Sequence, residues 1–178
     1  VAENPVVVEA RAHRAARGSG WAVLGSREGP SVHRASEVGD EKWTRLVEHH
    51  DVISRHATSD NGGRVVKSTG DGVLATFPTP TSALTATTTM RDQLLGADIP
   101  IRAGAHIGQI EVRSDGDIAG IAVNIAARVE AHAQSGEIVV SHTLRDMLMG
   151  TDHTFTNTGT HQLKGVDGDW TLYRLDPN

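Results

Sequence analysis

The stretch Arg64-Val65-Val66-Lys67-Ser68-Thr69-Gly70-Asp71-Gly72-Val73-Leu74-Ala75-Thr76-Phe77 decides the fold. Two short runs, Arg64–Lys67 and Val73–Phe77, flank a Gly70-Asp71-Gly72 turn, the composition of a tight hairpin. An aspartate between two glycines at a hairpin tip puts a carboxylate in open space, where a metal-bound phosphate can approach. Taken alone, the turn is also an ordinary Asp-Gly reversal, and both readings stand at this point.

Upstream of the hairpin, Asp40 is placed to cap a helix through Trp43, Leu46, Val47 and Ile53, ended by Asn61-Gly62-Gly63. Downstream, Pro80 opens a helix through Leu84, Met90 and Leu94, and Ile99–Val112 reads as one long strand broken by glycine. After the turn 114–117 come a helix from Ala119 to Ala131, a strand Glu137–Val140 and a short helix Thr143–Met149. Late strands around Phe155 and over Trp170–Leu175 close the domain. Residues 1–34 are rich in Ala, Arg, Gly and Pro and lack a sustained period; the one element they suggest is a short helix after Pro5. Interleaved strands and helices with an early hairpin predict an α/β (α+β) sandwich, a mixed and mostly antiparallel sheet with helices packed on it.

Bulk properties narrow the function classes. At 178 residues the chain fits one domain. It is 38% hydrophobic and 22% charged with a net charge of −5, and no lysine or arginine stripe points to nucleic acid. The absence of cysteine excludes disulfides and Cys-based zinc sites and fits a reducing compartment. Val6-Val7-Val8 is too short for the core of a signal peptide, and no run approaches the roughly 20 apolar residues of a membrane span. The expectation is a soluble, cytoplasmic domain without nucleic-acid or membrane partners.

Two further segments carry chemistry. In Asp117-Ile118-Ala119-Gly120-Ile121-Ala122-Val123-Asn124-Ile125-Ala126-Ala127-Arg128, Asn124 and Arg128 share a helix face, and Ile121, Ile125 and Val129 line the neighbouring, buried one. Asparagine is out of place in so apolar a helix, although a solvent-facing Asn beside an ion-paired Arg would look the same. Gln162-Leu163-Lys164-Gly165 sets a lysine before a glycine turn, which alone says nothing.

Together, in order and separation, these pieces resemble the class III adenylate and guanylate cyclases, especially the mycobacterial-type bacterial catalytic domains. The resemblance runs from about Ala35 to Leu175, which makes residues 35–178 the catalytic domain and 1–34 a poorly matched segment. It implies a ferredoxin-like, palm-like sheet and the conversion of ATP to cyclic AMP and pyrophosphate. It implies two Mg²⁺ or Mn²⁺ ions on two aspartates, of which the second corresponds to Asp71. Lys67 and Asp117 correspond to the residues that read adenine, Asn124 and Arg128 to those that stabilise the transition state, and Lys164 to a lysine on the triphosphate. Lysine donating to adenine N1 and aspartate accepting from the exocyclic amine favour ATP, because guanine reverses both polarities. In the family one subunit brings the metal aspartates and its partner the other groups, so the resemblance implies a homodimer with two sites.

One position departs from the family. The first metal aspartate belongs to an early strand, and a gapless count back from Gly39-Asp40 puts Arg27 there, with Glu28 one residue off. A guanidinium repels a divalent ion. Three explanations stay open: a degenerate cyclase that still binds nucleotide, a register shift that brings Glu28 to the metal, or an unnatural start of the first 34 residues. The competing function is accordingly a catalytically impaired cyclase-homology module that binds nucleotide or only dimerises. A diguanylate cyclase is disfavoured, since its Gly-Gly-Asp/Glu-Glu-Phe turn is absent. The ten histidines form no His-Glu-x-x-His motif and read as surface residues, and Met147 and Met149 as packing beside Leu148.

Overall fold

A computed structural model describes residues 4–12, 40–68 and 71–177. The elements run β1 (Val6–Ala12), α1 (Asp40–Asp60), β2 (Arg64–Ser68), β3 (Gly72–Phe77), α2 (Pro80–Gly96), β4 (Ile101–Ile107), β5 (Glu111–Val112) and β6 (Ile118–Ala119). They continue with α3 (Ile121–Glu130), β7 (Ile138–Ser141), α4 (His142–Asp146), β8 (Phe155–Gln162) and β9 (Asp169–Leu175). Seven strands form one sheet in the order β2-β3-β1-β4-β7-β9-β8, while β5 and β6 make a separate hairpin. Among the described residues only β4 and β7 pair in parallel; the other pairs of the large sheet are antiparallel. The palm-like, mostly antiparallel sheet with packed helices is thus present.

The sequence reading fails first after Pro5. Val6-Val7-Val8 begins not a helix but β1, inserted between β3 and β4. A strand paired on both edges and covered on both faces wants a continuous β-branched run rather than an alternating one. Val6, Val8 and Ala10 face a core shared with Ala57 of α1 and with Leu84, Met90 and Leu94 of α2, whereas Val7 faces Ala122 and Ala126 of α3.

The span expected as one strand, Ile99–Val112, also divides. β4 stops at Ile107, and the chain leaves the sheet at Gly108, where a Cβ would come within 2.9 Å of the Ala122 Cβ. β4 passes close beneath α3, because a Cβ at Gly104 would collide with the backbone of Glu130. Ile121, expected in the buried stripe with Ile125 and Val129, is 53% exposed, since it opens the helix before α3 settles on the sheet.

α2 begins as the sequence predicts, with Pro80 in its first turn and a reciprocal capping box between Thr79 and Ser82. In α4, the Ser141 side chain accepts from the Leu144 amide. Leu148 is buried there, but Met147 and Met149 are 57% and 70% exposed, so neither packs into the core.

Candidate active site

The hairpin carrying Asp71 is present. Ser68 pairs with Val73 across it, and Thr69 and Gly70 at the reversal lie outside the described residues. Its other neighbour is β1: the Ala12 amide donates to the Asp71 carbonyl at 2.8 Å, and Arg11 pairs with Gly72. Arg11 turns back along its strand, donating from Nε and Nη2 to Glu9 Oε1 at 3.0 and 2.8 Å. Burial works against the Arg11 charge, but Glu9, with Glu130 and Asp71 behind it, outweighs that and raises its pKa. A guanidinium therefore occupies the electrostatic field of Asp71.

Behind the hairpin stands His50 of α1, 2% exposed, with neither ring nitrogen hydrogen-bonded. Burial pushes its pKa down against the pull of Asp71 and Asp51. Burial also opposes the charge of Asp51, but hydrogen bonds from Arg55 and Ser68 outweigh it and hold that carboxyl below its ordinary value. The Ser68 contact ties α1 to β2 beside the hairpin.

The second group of residues gathers around α3. Gly120, at φ +127°, lets the chain leave β6 and enter the helix at once. Asn124 and Arg128 both lie on its exposed side. Arg128 Nε donates to the Lys164 main-chain carbonyl at 3.0 Å, which ties the turn between β8 and β9 to α3. Asp117 sits half-buried at the foot of the β5–β6 hairpin, and its Oδ1 accepts from the Ile118 amide at 2.8 Å. Arg64 braces that hairpin by donating to the Gly116 carbonyl at 2.8 Å. Lys67 is exposed on β2, just past a bulge that begins at Val65.

The structure thus joins Arg128 to Lys164 and puts Asn124 one turn away on α3. Asp71 immediately precedes β3, and Lys164 follows β8, the strand five positions from β3 in the sheet order. Ala122, Val123 and Ala126 of α3 pack with Val66 of β2 and Leu74 of β3.

Of the two aspartates that the resemblance puts on the divalent ions, the described residues include Asp71 alone, and among them no group of three or more His, Asp or Glu could hold a metal ion. Arg27 and Glu28 lie outside the described residues. The strand that runs beside the Asp71 hairpin is β1, whose one carboxylate, Glu9, is engaged by Arg11.

Sequence reasoning missed Glu9, Arg11 and two buried histidines. The alternation Glu9-Ala10-Arg11 put both charged residues on one strand face, a signal lost when the region read as helix. His50 and His106 were taken for surface residues. His106 is 5% exposed, shares a 2.8 Å hydrogen bond from Nδ1 with Ser141 Oγ and meets Trp170 edge-on at 5.6 Å; burial pushes its pKa down to about 4.

Comparison with known proteins agrees with the fold. Residues 81–177 match the family described as the adenylate and guanylate cyclase catalytic domain. The chain is 31% identical over 172 residues to "Putative adenylate cyclase 3" of Rhizobium meliloti, covering 92% of this chain and 27% of that protein. It therefore spans about a quarter of that relative's length. It superimposes with a TM-score of 0.75 on an adenylate/guanylate cyclase/hydrolase from Silicibacter pomeroyi, 26% identical, with both chains fully covered. The adenylyl cyclase CyaB from P. aeruginosa, 20% identical, shares the fold with a TM-score of 0.77 over 98% of this chain and 95% of that one.

Proposed function

The chain belongs to the adenylate and guanylate cyclase catalytic-domain family, and from that premise we propose that it cyclises ATP to 3′,5′-cyclic AMP at a homodimer interface. The exposed Arg128, held by the Lys164 carbonyl on a helix of this family's domain, carries this reading. In the proposed dimer a two-fold axis brings the hairpin of one protomer to α3 of the other and makes two equivalent sites.

The reaction is an in-line attack of the ribose 3′-hydroxyl on the α-phosphorus, with pyrophosphate leaving, so catalysis is mainly positioning and stabilisation of phosphoryl charge. Arg128 offers a planar fork of donors to the non-bridging oxygens. Its Nε is held by the Lys164 carbonyl, which leaves the two terminal nitrogens for the phosphate. Lys164 lies beside it for the triphosphate. Asn124, one turn back on the same exposed side, orients the ribose.

For the base, Lys67 donates to adenine N1 and Asp117 accepts from the exocyclic amine. The Ile118 amide fixes Asp117 Oδ1, leaving Oδ2 for the base. The name of the Rhizobium relative points to the same nucleotide. The reading is tested by chromatographic assay of cyclic AMP formed from ATP and cyclic GMP formed from GTP, with Mg²⁺ or Mn²⁺, on a preparation shown to be dimeric. Cyclic AMP in excess is expected; no cyclic nucleotide from a confirmed dimer overturns cyclisation, and equal use of GTP overturns the adenine assignment.

Arg11 favours a second reading, in which the domain binds ATP without turning it over. Retention of ATP by a dimer that forms no cyclic AMP would select it.

A further inference from the structure

α1 buries a polar stripe that takes no part in the proposed site. His50, Ser54 and Thr58 recur every four residues, so they share one face of the helix, and they are 2%, 0% and 1% exposed. Both ring nitrogens of His50, Ser54 Oγ and Thr58 Oγ1 are buried without a hydrogen-bond partner among the described residues. A hydroxyl inside a helix commonly donates to the carbonyl four residues back, as Thr87 of α2 does to Ala83 at 2.7 Å. Ser54 and Thr58 make no such bond.

The stripe runs along the β2–β3 hairpin. At one end a Cβ on Gly63 would come within 2.9 Å of Thr58 Cγ2, and at the other His50 lies in the field of Asp71. Val73, Ala75 and Phe77, on the face of β3 turned to this core, offer only apolar side chains. Each buried polar atom left without a partner bears its full desolvation cost, and folded proteins seldom leave several side by side. Burial pushes the His50 pKa down, so at neutral pH the ring is uncharged and offers one donor and one acceptor, and each hydroxyl does both. An uncharged set that donates as well as accepts suits water rather than an ion. Successive stripe positions are about 6 Å apart along the axis, too far for a direct bond, whereas one water making two bonds of about 2.8 Å spans about 5.6 Å.

We propose that His50, Ser54 and Thr58 bind an internal chain of ordered water, one molecule between each successive pair, along the contact of α1 with the β2–β3 hairpin. Each water then has two side-chain partners, within the range of about two to four that buried water takes. The end of the hairpin that carries Asp71 rests on α1 through this chain. The inference does not depend on ATP being cyclised.

The test is a crystal structure of the full chain at a resolution that shows ordered water, together with melting curves of Ser54→Ala and Thr58→Val. Water is expected between His50 and Ser54 and between Ser54 and Thr58, and each variant should melt about 2–4 °C below wild type because a bound water loses a partner. A dry contact at the stripe would overturn the proposal, as would hydroxyls bonded instead to the carbonyls of His50 and Ser54. Either variant melting at or above wild type would also overturn it, since removal of a truly orphaned hydroxyl relieves a cost. Should a variant not fold, the wild-type crystal structure decides alone.

Discussion

Arg128 and Lys164 are 36 residues apart in sequence and joined by one hydrogen bond, from the guanidinium Nε of the first to the main-chain carbonyl of the second at 3.0 Å. Because the acceptor is main chain, the contact fixes the direction of the Arg128 fork without neutralising its charge. A guanidinium held this way on an exposed helix face is suited to a phosphate.

Arg128→Ala should lower the rate of cyclic AMP formation by about 10²–10³, the usual loss when a donor to a developing oxyanion is removed. Arg128→Lys should recover little, because a point charge replaces neither the fork nor the bond to the Lys164 carbonyl. Thermal melting should be nearly unchanged in both variants, since the side chain is exposed. Steady-state assay alongside a melting curve separates the two effects; a large drop in melting temperature would make Arg128 structural.

The hairpin, α2, α3 and the late strands were legible in the sequence because each carries its own local signal. Asp-Gly marks the turn before Val73, Pro80 starts a helix, and Ala122, Ile125, Ala126 and Val129 repeat with helical spacing. β1 was not legible. Its signal is a three-valine run buried on both faces, which short-range periodicity cannot distinguish from a helix fragment, and its place between β3 and β4 is a long-range fact. The same holds for the proposed site: Asp71, Asn124 and Arg128 are singled out by the family resemblance of their segments, whereas Arg11 acquires its meaning only from the register that sets it opposite Gly72.

His106 makes stability depend on pH. Its folded pKa, pushed down by burial to about 4 from 6.5, lies below the unfolded value. The unfolded chain therefore binds the extra proton between those limits, so stability is full above about pH 6.5 and falls as pH drops toward 4, by up to about 1.4 kcal/mol per pH unit from this group. Melting temperatures of wild type and His106→Gln across this window should show a shallower acid decline in the variant. Parallel curves would mean that the imidazole is accessible to protons in the native state.

Arg102 and Glu130 form a pair of a different kind. Arg102 Nε lies 2.7 Å from Glu130 Oε1, and the Glu130 side chain is only 5% exposed. Burial raises the pKa of Glu130 despite the neighbouring Arg102 charge. Arg102→Ala leaves that carboxylate buried without its nearest cation and should cost about 3 kcal/mol at neutral pH. A carboxyl whose folded pKa is raised contributes most below its unfolded pKa, so the cost should shrink as pH falls and Glu130 takes up a proton. Denaturant unfolding at neutral and mildly acidic pH measures this, and Arg102→Ala/Glu130→Gln should recover part of the loss.

The proposed sharing of one site between two protomers has a consequence that no single-chain site imitates. Asp71→Asn and Arg128→Ala each damage both sites of their own homodimer, one through the hairpin and the other through α3. When the two variants are mixed and allowed to exchange subunits, half of the dimers pair one of each. In such a heterodimer one site carries both lesions, and the other is made from the intact hairpin of one chain and the intact α3 of its partner. One intact site in two, in half of the dimers, should restore about a quarter of wild-type activity from two inactive preparations. Assay of cyclic AMP before and after mixing reads this directly. Activity that stays at the level of the separate variants, although subunit exchange is demonstrated by mass-tagged chains, would mean that Asp71 and Arg128 act within one protomer.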